Sequence, residues 1–103
     1  MAANFRISVH RNSENLHIKL AGDFDGASAQ TLLTTLKKNC RKAAKVFIHT
    51  GCLREIHPFG RDVFQSNMDE LGEHIVFLVF TGENAALLAP EKKPWTSMVS
   101  YLP

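Results

Sequence analysis

The chain has 103 residues, 45% hydrophobic and 21% charged, with a formal net charge of +2 when histidines are neutral. That is the usual size and balance of one domain around one core, and so small a positive bias gives no argument for a nucleic-acid or membrane-surface partner, so none is expected. No run approaches the roughly 18 apolar residues of a membrane span. The start, Met1 to Arg6, lacks the basic and apolar regions of a secretory signal. Cys40 and Cys52 stand at no metal or redox spacing, so the expectation is a cytoplasmic protein with reduced thiols.

Two alternating runs come first. Phe5, Ile7 and Val9 share one face of a strand, opposed by Arg6, Ser8 and His10; Leu16, Ile18 and Leu20 repeat the pattern against His17 and Lys19. The polar connection from Arg11 to Asn15 predicts a hairpin with one wet face. The segment Gly22 to Gly26 breaks the second strand, and the period changes. Ala29, Leu32, Leu33, Leu36 and Cys40 then fall on one helical stripe. Asp25 or Ser28 serves as its cap, and Lys37, Lys38, Arg41 and Lys42 complement the dipole at its far end.

Lys45 to His49 and His74 to Thr81 are continuous apolar runs, which suit strands buried on both faces of a parallel sheet. Between them Phe59, Val63, Phe64, Met68 and Leu71 have helical spacing, with Pro58 in the first turn and Gly72 as the C-terminal cap. A short helix is predicted over about Glu83 to Ala89, stopped by Pro90, and the tail from Glu91 to Pro103 offers an edge strand around Trp95 to Leu102. The order β-β-α-β-α-β-α(-β) predicts an α/β fold: a mixed, mostly parallel sheet of four or five strands with three helices, in one domain over 1–103.

That order, together with three local patterns, resembles the STAS domain, found in bacterial anti-sigma-factor antagonists and in sulfate-transporter tails. The patterns are Leu20 to Ala29, a strand, glycine and turn leading into the first helix; Val46 to Gly60, an apolar strand, a loop segment and the start of the second helix; and Ile75 to Leu88, the next strand and its short helix. They cover about residues 5–90, the expected domain core, and leave 91–103 as a tail. The resemblance implies a protein-binding surface made of Asp23, Asp25 and Gly26 beside His57, Pro58, Phe59, Gly60 and Arg61. In family antagonists a kinase phosphorylates the second serine of Asp-Ser-Ser-Gly. Here those four positions read His57, Pro58, Phe59 and Gly60, and the strand-end aspartate is His49. Phe59 has no hydroxyl, so the charge of about −1.5 to −2 that phosphate adds cannot be placed there. Phe59 either anchors an interface, as aromatics do in hot spots, or folds under the loop into the core.

His49, Cys52 and His57 surround the loop leaving the third strand, where α/β folds bind ligands. Their types suit zinc, but the pairwise spacing and fourth ligand of a zinc site are missing, and the plainer reading is loop histidines with a small buried Cys52. Cys–His nucleophilic chemistry requires an oriented base that nothing here specifies. Asp23 to Gly26 lacks the further oxygen ligands of a calcium loop, and the glycines form no phosphate-binding motif. The expectation is a non-catalytic protein–protein interaction module without cofactor, bound to an anti-sigma factor, a kinase-like protein or another signalling protein, with homodimerisation open. The alternative is a small-ligand or metal-sensing domain using the loop before the second helix.

Overall fold

A computed structural model describes residues 4–12, 15–39, 45–68, 78–89 and 96–99. The strands are β1 Arg6–Asn12, β2 Asn15–Phe24, β3 Lys45–Ile56, β4 Leu78–Thr81 and β5 Thr96–Val99, and the helices are α1 Gly26–Asn39, α2 Pro58–Ser66 and α3 Ala85–Leu88. They form one five-stranded sheet in the order β1-β2-β3-β4-β5. β1 is antiparallel to β2, and the remaining pairs are parallel. The predicted α/β class, the mixed sheet and the edge strand near the end of the chain are all observed. Cys40, Arg41, Lys42, Leu71, Gly72, Pro90 and the 74–77 part of the fourth-strand prediction lie outside the described residues.

One face of the sheet carries the core. Leu16, Ile18 and Leu20 of β2, Val46 and Ile48 of β3, and Leu78 and Phe80 of β4 bury against Ala29, Leu32, Leu33 and Leu36 of α1. Alternation in the strands and the 3.6-residue period in the helix deliver these two apolar faces to each other. The rings of Phe24, Phe64 and Phe80 run edge to face through this layer, with centroids 6.2 and 6.0 Å apart, the arrangement that aromatic quadrupoles favour.

Several boundaries differ from the sequence expectation, each for a physical reason. β2 does not break at Gly22 but runs to Phe24, with Gly22 at φ 90° where a residue bearing Cβ would be strained. β3 does not become a loop after His49. It continues beside β2 to Ile56, absorbing extra residues at register shifts opposite Lys19/Ala21 and Gly22/Asp23. β3 is also not buried on both faces, since Phe47 and His49 are half-buried while Val46 and Ile48 are buried. Val9 of the edge strand β1 is 44% exposed, whereas Ile7 on the same strand is half-buried against the core. Within the predicted second helix α2 is interrupted after Ser66, where the Asn67 N–H turns back to the Phe64 carbonyl at 3.2 Å and the Asn67 side-chain amide donates to the Val63 carbonyl at 2.8 Å; the predicted cap at Gly72 lies outside the described residues.

Where α1 and α2 begin, Gly60 packs directly on the backbone of Asp25. A Cβ built on Gly60 would stand 2.6 Å from the Asp25 carbonyl carbon and 2.7 Å from its oxygen. Backbone cannot give way as a flexible side chain can. Gly60→Ala is therefore expected to lower stability by about 1–3 kcal/mol in urea unfolding, the overpacking cost exceeding the helix propensity gained. An unchanged midpoint would overturn this account of the contact.

Candidate functional site

The carboxyl ends of β2 and β3 deliver their chains to the same place. Asp25 is the N-cap of α1: its Oδ1 accepts the Ser28 N–H at 2.8 Å, and the Ser28 hydroxyl lies 2.8 Å from the same oxygen. The capping residue anticipated from sequence as Asp25 or Ser28 is thus Asp25, with buried Ser28 as its partner. The Asp23 N–H donates to Asn4 Oδ1 at 3.3 Å, and the Asp23 carbonyl lies 3.3 Å from the Ser28 hydroxyl. Across the junction the His57 N–H donates to the Phe24 carbonyl at 2.8 Å, which ties the start of α2 to the end of β2. His57 occupies the N-cap of α2 in extended conformation and makes no side-chain cap bond. Pro58 follows where its missing N–H costs nothing.

The structure therefore brings together the two segments singled out from sequence, Asp23 to Gly26 and His57 to Arg61. Phe59 stands between them with 70% of its surface exposed, which removes the reading that folds it into the core. Its ring lies against Gly26, where an added Cβ would meet Phe59 Cε2 at 2.6 Å and Cδ2 at 2.8 Å. Arg61 carries the first turn outward, its Nε 3.8 Å from Asp62 Oδ1, an exposed pair that contributes little. The resulting surface is an aromatic plate on bare backbone, rimmed by His57, Arg61 and the half-buried carboxyl-bearing residues Asp23 and Asp25.

The candidate metal set of His49, Cys52 and His57 is not assembled. Among the described residues no group of three or more His, Cys, Asp or Glu side chains is placed to hold a metal ion. Cys52 is an exposed free thiol, not a small buried residue, because β3 continues past it as a strand with that side on the wet face. It lines a hollow of about 250 Å³ with Lys19, His49 and Gly51. His57 sits instead at the helix junction.

His49 belongs to a polar row that sequence reasoning did not assemble. His49 Nε2 is 3.0 Å from His17 Nδ1, and His49 Nδ1 is 2.7 Å from Oγ1 of buried Thr81. The Phe47 ring stacks on His17 with centroids 4.7 Å apart and planes within 7°. Sequence placed His10 and His17 on the wet sides of their strands, but the register that sets them beside one another and beside His49 was not readable from it. Burial first, then the nearby His49 and His10 rings, hold the His17 imidazole below its ordinary pKa of 6.5. The unfolded chain consequently binds this proton more readily than the fold does. The contribution of neutral His17 is complete above that ordinary pKa and is lost as pH falls below it. Urea midpoints measured from about pH 7.5 down to about pH 5 are expected to fall more steeply for the wild type than for His17→Gln; parallel profiles would show that this ring does not carry the dependence.

No protein-family model and no curated protein matches the chain. Solved structures do. The anti-sigma factor antagonist SpoIIAA in its unphosphorylated form is similar with a TM-score of 0.61 at 12% identity, over 88% of this chain and 86% of that one. An uncharacterized protein of the DUF3478 family with a SpoIIAA-like fold, from Shewanella loihica PV-4, is similar with a TM-score of 0.67 at 14% identity, over 99% of this chain and 92% of that one. A structure of Mglu is similar with a TM-score of 0.58 at 14% identity over 93% of this chain, which spans 19% of the Mglu chain. At these identities the likeness is one of fold, and it agrees with the motif resemblance and the observed topology: the chain has the SpoIIAA-like fold of STAS domains.

Proposed function

We propose that the protein is a non-catalytic protein–protein interaction module of the anti-sigma-factor-antagonist type, whose docking surface is the junction of Asp23, Asp25 and Gly26 with the segment His57 to Arg61. The observation that carries this reading is Phe59, a large aromatic left 70% exposed at the first turn of α2. Water gains nothing from an apolar ring of that size, whereas a partner that covers it removes apolar surface at about 25 cal/mol per Å². Exposed aromatics at the centre of a polar rim are also the usual anchors of interfaces.

The likeness to an anti-sigma factor antagonist supports a protein partner of the anti-sigma-factor or signalling kinase class, and with it a regulatory role in transcription in the bacterial cytoplasm. The mode of control differs from the family's serine switch. A phenyl ring at the switch position accepts no phosphate, so binding is governed by shape and apolar contact at that point. The same plate could receive a second copy of this chain, an outcome that sedimentation distinguishes from binding to a different protein.

The test is binding of the purified chain, followed by interferometry, to an anti-sigma-factor-type kinase from the same organism. Phe59→Asp is expected to weaken binding by about thirtyfold or more, the loss of about 2 kcal/mol or more typical of a hot spot, while Phe59→Leu retains most of the affinity. Because Phe59 is exposed, both variants are expected to unfold at the wild-type midpoint. Equal affinity of Phe59→Asp and wild type would overturn the assigned surface.

A further inference from the structure

We propose that the wet face of the sheet carries a binding site for a borderline divalent transition metal such as zinc, with His10 and His17 as the two protein ligands and with His49 and Thr81 holding the second ligand in place. His10 stands directly opposite His17 in the antiparallel β1–β2 pair. Side chains so paired project from the same face with Cβ atoms about 4.5–5.5 Å apart. Two imidazoles at that separation can close on one ion at Zn–N distances of about 2.0–2.1 Å.

The orientation of His17 follows from its neighbours. Its Nδ1 is directed at His49 Nε2 at 3.0 Å, and the two rings lie within 3° of parallel. In a five-membered ring the second nitrogen projects away from the first, so Nε2 of His17 turns from β3 toward the side of the sheet on which β1 and His10 lie. The tautomer also fits. Of the two directions in which the row can run, metal binding selects the one in which His17 donates Nδ1–H to His49 Nε2 and His49 donates Nδ1–H to Thr81 Oγ1, because it leaves the lone pair of His17 on Nε2. Metal-bound histidines characteristically donate their other N–H to such an acceptor, which fixes the ring and raises its basicity. The Phe47 stack restrains the ring plane from the β3 side.

An all-imidazole pair selects zinc, nickel or copper over magnesium or calcium, which take oxygen ligands. His10 is exposed and His17 half-buried, so solvent reaches the site and water completes the coordination shell. On the same face the neighbouring register pairs are Ser8 with Lys19 on one side and Asn12 with Asn15 on the other. Two ligands with a lysine two residues away describe a reversible, weak site, not a structural zinc centre. It lies on the face of the sheet opposite the core, and it stands or falls independently of the docking surface around Phe59.

Calorimetric titration of the full chain with zinc chloride tests the site, with copper(II) as a spectroscopic probe. One zinc per chain is expected, weakened at least tenfold in His10→Ala and about 10–100-fold in His49→Gln, the usual effect of losing a supporting partner. Copper(II) electron paramagnetic resonance is expected to show two imidazole nitrogens in the wild type and one in His10→Ala. His10 is exposed on an edge strand, so His10→Ala keeps the wild-type unfolding midpoint. Wild-type affinity in His10→Ala, one zinc per two chains with a zinc-dependent dimer, or no heat at about a thousandfold weaker range than a typical micromolar site would each overturn the site. Unchanged affinity in His49→Gln would overturn the supporting role.

Discussion

The arrangement depends on one close approach: the backbone of Asp25 against Gly60. Two strands that lie side by side in a parallel sheet end side by side, and their following helices must share the space above the carboxyl edge. With any Cβ at position 60 the two first turns would be held apart. Without it, the His57 N–H reaches the Phe24 carbonyl and the rings of Phe24 and Phe64 meet edge to face beneath. The helix starts are treated differently. α1 is closed by a carboxylate accepting N–H at its third residue, whereas α2 begins with a proline that has no N–H to satisfy. The junction thus has its polar demands met locally, and the side chain left on top is Phe59.

That geometry explains how much of the fold was legible in the sequence. The period-2 runs and the α1 stripe each reported a single buried face, and each face is where the alternation placed it, Leu16/Ile18/Leu20 and Ala29/Leu32/Leu33/Leu36 alike. Boundaries failed where local signals met tertiary pairing. Gly22 reads as a strand breaker in isolation, yet it sits at φ 90° inside a strand because β3 supplies hydrogen-bonding partners beyond it. Gly51 and Cys52 read as a loop for the same reason, since a bulged strand has no clean alternation. Val9 fits the core pattern as well as Ile7 does, yet on the same edge strand Ile7 packs against the core while Val9 is 44% exposed, a difference that alternation alone does not encode.

The site was legible to a different degree. Proximity of Asp23–Gly26 to His57–Arg61 followed from the motif resemblance, and the glycine contacts now supply its physical basis. The state of Phe59 was open in the sequence because an aromatic in a first helical turn packs inward or outward according to what stands beside it. Gly26 decides the matter, because bare backbone gives the ring a flat seat outside the core. Under the proposed reading, the contact at Phe59 itself is apolar and the charged groups stand at its rim. Replacing a phosphorylatable serine by phenylalanine exchanges a switch operated by electrostatics for a fixed apolar contact, so regulation under the proposed reading has to come from the abundance or state of the partner.

The histidine row shows how one set of side chains answers both the fold and a ligand. Thr81 is fully buried, and a buried hydroxyl left without a hydrogen bond would cost about 1–3 kcal/mol. His49 meets that need at 2.7 Å, and in doing so commits one of its nitrogens to β4. Its other nitrogen then has to find a partner on β2, and His17 is placed there by the register. The chain of obligations runs outward from the core and ends at a ring on the wet face beside an edge strand. Satisfying the interior accounts for His49 and for one nitrogen of His17. It does not account for the other nitrogen or for His10 across from it, and that remainder is the part of the row open to chemistry with something outside the chain.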